Sequence, residues 1–291
     1  MRLDDAFRDS VVFLGHGSPS GDAESFQACA TGFFVRDAEG AGGSTYLVTA
    51  AHSVHAGLCD PFHVRLNTAD SAVLIHVPDP AWTLHEDDSV DVAVRQFDLP
   101  AGTTARAVKT KALLTSRRLG VGDIGPGDQT YTVGLFSFAQ GRSRNIPMVH
   151  VGHIAAFPEV GDPIEVRDWL SNGDQVRRIE AYVVQCAALP GASGSPVFVR
   201  KPIVAADERH RHEGDKVIQD KRKPPLGYGA AFLLGLWHGS WEINPARMIA
   251  GAQVRDPAGY GIVIPAERIL EVLERARESA CNEGPRGSSG S

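Results

Sequence analysis

The run Leu189-Pro190-Gly191-Ala192-Ser193-Gly194-Ser195-Pro196 presents a hydroxyl in a tight, glycine-rich loop. Its glycines permit backbone angles that a β-carbon forbids. The backbone N–H groups of Gly191 and Ser193 can then point into the space beside the Ser193 hydroxyl. Acyl transfer requires that arrangement: a nucleophile next to fixed donors that stabilise the oxyanion formed on attack. Ser195 is the alternative nucleophile, and the Gly-x-Ser-Gly frame favours Ser193. Taken alone, a Gly/Ser/Pro cluster reads as a plain turn.

Two upstream segments supply what a serine nucleophile lacks. Thr49-Ala50-Ala51-His52-Ser53 follows the apolar run Thr45-Tyr46-Leu47-Val48, and Asp91-Val92-Ala93-Val94 follows the polar Glu86-Asp87-Asp88-Ser89. His52 would take the serine proton and pass it to the leaving group, and Asp91 would hold the imidazole in the right tautomer. The order His, Asp, Ser is the chymotrypsin order, distinct from that of subtilisins and α/β-hydrolases. Singly, each residue has a bland reading, a satisfied histidine or a strand-edge aspartate; jointly and in this order they point to a triad.

These three motifs match T-A-A-H, D-(I/V)-A and G-x-S-G-(G/S)-P, and on them the chain resembles the trypsin-like serine peptidases over about residues 10 to 275. The resemblance implies an all-β chymotrypsin fold, two six-stranded antiparallel barrels with a C-terminal α-helix. It implies a serine endopeptidase with catalytic His52, Asp91 and Ser193, an oxyanion hole from Gly191 and Ser193, and no cofactor or metal. Ile179-x5-Gln185-x-Ala187-Ala188 and Gly261-Ile262-Val263-Ile264-Pro265 are similar to segments of the bacterial high-temperature-requirement (Deg) proteases, without the peptide-binding domains that follow in those proteins. Serine at 195 also occurs in glutamyl endopeptidases.

By the same resemblance, Ala187 and Ala188 line the pocket for the residue before the scissile bond, with Trp237, His238, Gly239 and Ser240 on a later wall. Ala187 brings no charge where trypsins place an aspartate, and Ala188 no hydroxyl. Strand alternation turns His238 to the other face unless a bulge intervenes. The pocket therefore reads as neutral, with His238 the first candidate for a charge in it. Secreted trypsins pair an aspartate directly before the nucleophile with a new N-terminus; here that residue is Ala192. The loop must instead be ordered by packing, a partner or substrate.

Around these residues the chain reads as strands. Candidates are Val11–Gly15, Gly32–Arg36, Thr45–Thr49, His63–Leu66, Ala72–Val77, Asp91–Gln96, Thr130–Phe136, Met148–Ala155, Ile179–Cys186, Ser195–Arg200, Ala230–His238 and Gly261–Ile264. Their length and spacing predict one or two barrels. We expect a peptidase domain over 1–280: a first barrel over about 10–97, a connector over 98–128, a second barrel over 129–265, and a helix over 265–279 with Ile269, Leu270, Leu273 and Ala276 on its apolar face. Residues 281–291 read as a flexible tail. Lys109-Thr110-Lys111 and Arg117-Arg118 read as a solvated face.

Bulk properties exclude several classes. The 291 residues are 43% hydrophobic and 22% charged with net charge −6, so a nucleic-acid partner is not expected. No stretch is long and apolar enough for a signal peptide or a membrane span, and four cysteines without metal spacing suggest reduced thiols and a cytoplasmic location. Cys29 and Cys59 could nonetheless be neighbours in the first barrel. His55 with His52, His150 with His153, and His210 with His212 carry no compelling metal pattern. The charged stretch within 200–228 reads either as a solvated hairpin insertion or as a docking loop for a regulatory protein. The partner expected of the site itself is a protein or peptide substrate, and its specificity is expected to be narrow or partner-controlled. Two rivals stand beside that reading: a catalytically silent binding module on the same fold, and esterase or acyltransfer activity by the same three residues.

Overall fold

The computed structural model describes residues 3–17, 25–37, 43–55, 62–77, 82–119, 124–158, 162–167, 176–187, 190–200, 231–242, 248–249, 252–253 and 257–282. Residues 201–228 of the expected insertion, Cys59, Ala188 and residues 283–291 of the expected tail lie outside these residues, while residues 281 and 282 continue the last helix. A short helix α1 (Asp5–Arg8) is capped by Asp4, whose carboxylate accepts from the Ala6 N–H at 2.9 Å. The first half is a sheet of eight strands: β1 (Val11–His16), β2 (Gln27–Arg36), β3 (Thr45–Thr49), β4 (Phe62–Asn67), β5 (Ala72–His76), β6 (Thr83–Leu84), β7 (Ala93–Gln96) and β8 (Val108–Lys109). Seven run in the order β5-β4-β1-β2-β3-β7-β6, and β8 pairs in parallel with β2. Helix α2 (Ala51–His55) follows β3 directly, and α3 (Ser116–Leu119) lies in the connection to the second half.

The second half contains β9 (Gln129–Gly134), β10 (Met148–Ala156), β11 (Ile164–Arg167), β12 (Val176–Ile179), β13 (Tyr182–Gln185), β14 (Pro196–Arg200), β15 (Ala231–Glu242), β16 (Met248–Ile249), β17 (Ala252–Gln253) and β18 (Pro257–Pro265). Six of these close a barrel in the order β10-β13-β18-β15-β14-β9, and the hairpins β11-β12 and β16-β17 stand outside it. The expected six-stranded count therefore holds for the second half. In the first, β6 and β8 join as two-residue strands too short to leave a hydropathy signal, and no pairing between β5 and β6 closes the sheet among the described residues. The expected strand Ile179–Cys186 is two strands, because Glu180 and Ala181 interrupt it to bring Glu180 to an arginine.

Helix α4 (Ala266–Asn282) joins the halves. Its buried face, Ala266, Ile269, Val272 and Leu273, falls at helical spacing and packs against β6, β7, β15 and β18, and the helix runs three residues beyond the expected end at 279. Arg268 reaches Glu180 of the second half and Glu271 of its own helix; His85 of the first half meets Glu271 at 2.8 Å; Arg277 meets the buried Asp37 at 2.7 Å. The largest apolar cluster is shared by both sheets and this helix, running from Phe13, Phe33 and Val48 through Tyr131, Phe198 and Leu236 to Ile269. No helix among the described residues is long and apolar enough to cross a membrane.

Cys29 on β2 is disulfide-bonded, against the expectation of reduced thiols, and Cys186 is a free buried thiol. Four cysteines in 291 residues give a count, and a count does not say which side chains meet.

Candidate active site

Strand β3 is apolar and β-branched, Thr45-Tyr46-Leu47-Val48-Thr49, and it ends where Ala50-Ala51 permits a helical turn. That turn, α2, sets His52 at the junction of the two halves. Asp91 arrives on the connection between β6 and β7. Its Oδ1 accepts the His52 backbone N–H at 2.8 Å, and its Oδ2 lies 2.7 Å from His52 Nδ1. One carboxylate thus fixes both the backbone and the ring of His52. An ionised carboxylate only accepts, so the imidazole proton sits on Nδ1 and the neutral ring presents a bare Nε2.

The Asp91 side chain is 11% exposed. Burial pushes its carboxyl up, but the imidazoles of His52 and His238, by charge and by hydrogen bonding, outweigh this and hold it well below the usual carboxylate range. For His52, burial lowers the pKa, and the charge of Asp91 with its hydrogen bond overcomes burial, leaving it above the ordinary histidine value.

The loop before β14 carries Ser193. Gly191 and Gly194 have φ of 90° and 83°, left-handed values that favour glycine. A β-carbon at Gly194 would also run into the Thr31 carbonyl and the Thr49 hydroxyl. The loop is tied down on every side. Thr31 N–H donates to Ser193 O at 2.9 Å, and Thr31 Oγ1 donates to Gly191 O at 2.9 Å while accepting from Leu135 N–H at 2.9 Å. Pro190 O accepts from Ser137 N–H at 3.1 Å and from Ser137 Oγ at 2.9 Å; Ala192 O accepts from Ser195 N–H at 2.9 Å. In a trans peptide the C=O and N–H point oppositely. The Gly191 N–H therefore points away from Ser137, and the Ser193 N–H away from the Ser195 amide. Neither N–H donates to a protein acceptor among the described residues. The ordering that Ala192 cannot supply by an ion pair is supplied by Thr31 and Ser137.

Ser193 Oγ makes one contact of hydrogen-bond length, to His238 O at 3.5 Å, and none to His52. Ser195 is wholly buried, and its Oγ has no hydrogen-bond partner among the described residues. It fits into the space that a β-carbon on Gly134 would occupy.

The expected pocket residues separate. Ala187 is exposed, and Gly239 and Ser240 are half-buried, with open space over Gly239. Trp237 does not stand as a wall beside Ser193: it is 3% exposed, grouped with Ile154, Val184, Val197 and Val263, and its ring covers Gly261. His238 faces the proposed catalytic aspartate. The register of β15 on β18 slips between Trp237 and Gly239, and His238 at this slip places its Nδ1 2.5 Å from Asp91 Oδ2. The three atoms His52 Nδ1, His238 Nδ1 and Asp91 Oδ2 lie within 4.8 Å of one another, the one such grouping among the described residues. Both nitrogens approach the oxygen more closely than the roughly 3.3 Å separating ligands around a tetrahedral zinc ion. The contacts are hydrogen bonds.

No protein-family model and no curated protein matches the chain. Solved structures do. The MamO protease domain from Magnetospirillum magneticum, in its apo form, superposes with a TM-score of 0.51 at 13% identity, covering 92% of this chain and 98% of that one. The fold is that of the trypsin-like serine peptidases. The active form of the Rv3671c protease from M. tuberculosis aligns at 14% identity and a TM-score of 0.49, over 98% of this chain and 86% of that one.

Sequence reasoning missed Thr31 altogether. It lies in an apolar strand with no motif around it, and its role exists only where the two sheets meet.

Proposed function

We propose that the chain is a serine endopeptidase. The observation that supports this reading is the anchored loop carrying Ser193, in which the N–H groups of Gly191 and Ser193 meet no protein acceptor among the described residues; we take these two groups as the oxyanion donors. Ser193 Oγ adds to the carbonyl carbon of a peptide bond as its proton moves to His52 Nε2. The carbonyl oxygen, now an oxyanion, accepts from the two N–H groups. Collapse breaks the C–N bond, the imidazolium gives its proton to the leaving amine, and water activated by the same histidine hydrolyses the acyl-enzyme. Asp91 keeps the ring in the Nδ1–H form throughout. Ala187 brings no charge beside the loop, which favours uncharged residues before the cleaved bond.

A silent binding module on the same fold is favoured by one observation, the absence of a Ser193–His52 hydrogen bond. Such contacts are often long without substrate and tighten in the complex. A fluorophosphonate probe separates the two readings. Stoichiometric labelling that maps to Ser193 and disappears in Ser193→Ala supports the peptidase. No labelling at any pH between 6 and 9 sinks it.

A further inference from the structure

One residue of β15 lies against all three residues of the proposed triad. The His238 ring reaches Asp91 Oδ2 at 2.5 Å, stands edge-on to the His52 ring at 5.6 Å between centroids, and its carbonyl lies 3.5 Å from Ser193 Oγ. We propose that His238 is a positioning residue that shares the Asp91 carboxylate with His52 and thereby lowers the pH at which His52 becomes a base. The inference rests on the peptidase reading for its consequence, but its physical content does not need turnover.

The argument is one of competition for a single oxygen. Asp91 Oδ2 accepts from both Nδ1–H groups, and Oδ1 from the His52 backbone. Each N–H donated to a carboxylate draws negative charge toward the donor and leaves less to stabilise a neighbouring imidazolium. With His238 in place, the protonated form of His52 is held less tightly than a lone Asp91 would hold it. Removing the His238 ring does not release the carboxylate, because the His52 N–H still grips Oδ1. What remains is an undivided charge on His52, whose proton then binds more strongly. The titratable groups facing one another here, among the described residues, are His52 on α2, Asp91 before β7 and His238 on β15.

His238 sits at the register slip between Trp237 and Gly239, with its ring toward Asp91 while the neighbouring Trp237 ring lies in the apolar cluster of the second half.

The test uses the full chain and two readouts. Histidine ring titration by NMR gives the His52 midpoint in wild type, His238→Ala and His238→Asn. The asparagine amide places an N–H where Nδ1–H was. The rate of fluorophosphonate labelling against pH gives the acid limb. The expected result is a His52 midpoint higher by about half a unit in His238→Ala, with labelling on the acid limb slowed about threefold relative to its plateau, and wild-type behaviour in His238→Asn. Coincident midpoints in all three proteins overturn the proposal, as does a His238→Asn midpoint that follows His238→Ala. Should the alanine variant fail to fold, His238→Ser, too short to reach the carboxylate, takes its place. If the midpoints move as expected but nothing labels, this inference stands and the peptidase reading fails; labelling with unmoved midpoints gives the reverse.

Discussion

Thr31→Val tests whether the nucleophile loop is ordered from the other sheet. The substitution keeps the branched shape on β2 and removes one oxygen. In a wholly buried position, that oxygen donates to Gly191 O and accepts from Leu135 N–H. Its loss leaves one buried acceptor and one buried donor without partners, each costing about 1–3 kcal/mol. Some relaxation toward water at Gly191 is available, so the expected loss of unfolding free energy is about 2–4 kcal/mol. Urea denaturation measures it directly, with Thr31→Ser as the control that keeps the hydroxyl. The functional consequence is separate. Without the Thr31 hydroxyl, the Gly191–Ala192 peptide loses the anchor on its carbonyl; it links the two peptides that carry the Gly191 and Ser193 N–H groups, so its turning shifts both donors. Losing one oxyanion donor costs about two to three orders of magnitude in rate, and a donor that is misplaced part of the time costs less. Fluorophosphonate labelling of the folded protein at low temperature should slow about tenfold or more. Wild-type stability in Thr31→Val would refute the hydrogen-bond argument. A destabilised variant that labels at the wild-type rate would refute the positioning argument.

Ser195→Ala removes a buried hydroxyl without a partner; it should leave labelling unchanged and stability equal or up to about 1 kcal/mol higher, while Ser193→Ala abolishes labelling, and the converse pattern would exchange the two serines. Arg65 is wholly buried, its pKa pushed down to about 10 by burial, and its guanidinium bonds Asn145 Oδ1 at 2.7 Å and the carbonyls of Gln140, Gly141 and Arg142. Arg65→Met leaves Asn145 Oδ1 and the carbonyls of Gln140, Gly141 and Arg142 without their donor, should cost about 2–5 kcal/mol, and should open residues 140–146 to limited proteolysis, which mass mapping of the first cleavage would reveal. Activity should appear as pH rises through the His52 pKa: that group is raised, and only its neutral form accepts the serine proton, so the acid limb should lie above the ordinary histidine midpoint of about 6.5, and a limb below it would contradict the assigned environment. Trimming the chain to Val11 should not raise the labelling rate but should lower stability, because it removes Phe7, whose ring packs 4.6 Å from Phe198; a gain in rate would revive activation by a freed N-terminus.

What was legible in the sequence follows from the range of the forces involved. Strand β3 was readable to the residue because five consecutive residues favour extended chain. His52 and Asp91 were readable because short motifs mark them on either side of such strands. Thr31 and Arg65 were not, since their partners lie 160 and 80 residues away. His238 and Trp237 show the sharper difficulty. Alternation says that His238 turns away from the face of Trp237, but nothing local says that Asp91, 147 residues away, lies where it turns, or that Trp237 is enclosed in the apolar cluster of the second half. The hairpin β11-β12 hid for another reason: Val-Arg-Arg-Ile reads as charged surface, yet Ile179 and Val166 are buried on one face.

Helix α4 and the threonine at the sheet junction have a consequence for the order of events during synthesis. Translation delivers the first sheet with His52 and Asp91 complete, and Ser193 emerges only roughly a hundred residues later. Even then the loop has no fixed shape until Thr31 meets it, and the two sheets are not clamped until the final helix has left the ribosome and laid its apolar face across both. On the proposed peptidase reading, hydrolytic competence therefore waits for the docking of α4. On that reading, a ribosome-bound fragment ending between Ser193 and Ala266 would hold the proposed reactive groups without the helix that clamps both sheets, and half-finished copies would not cut.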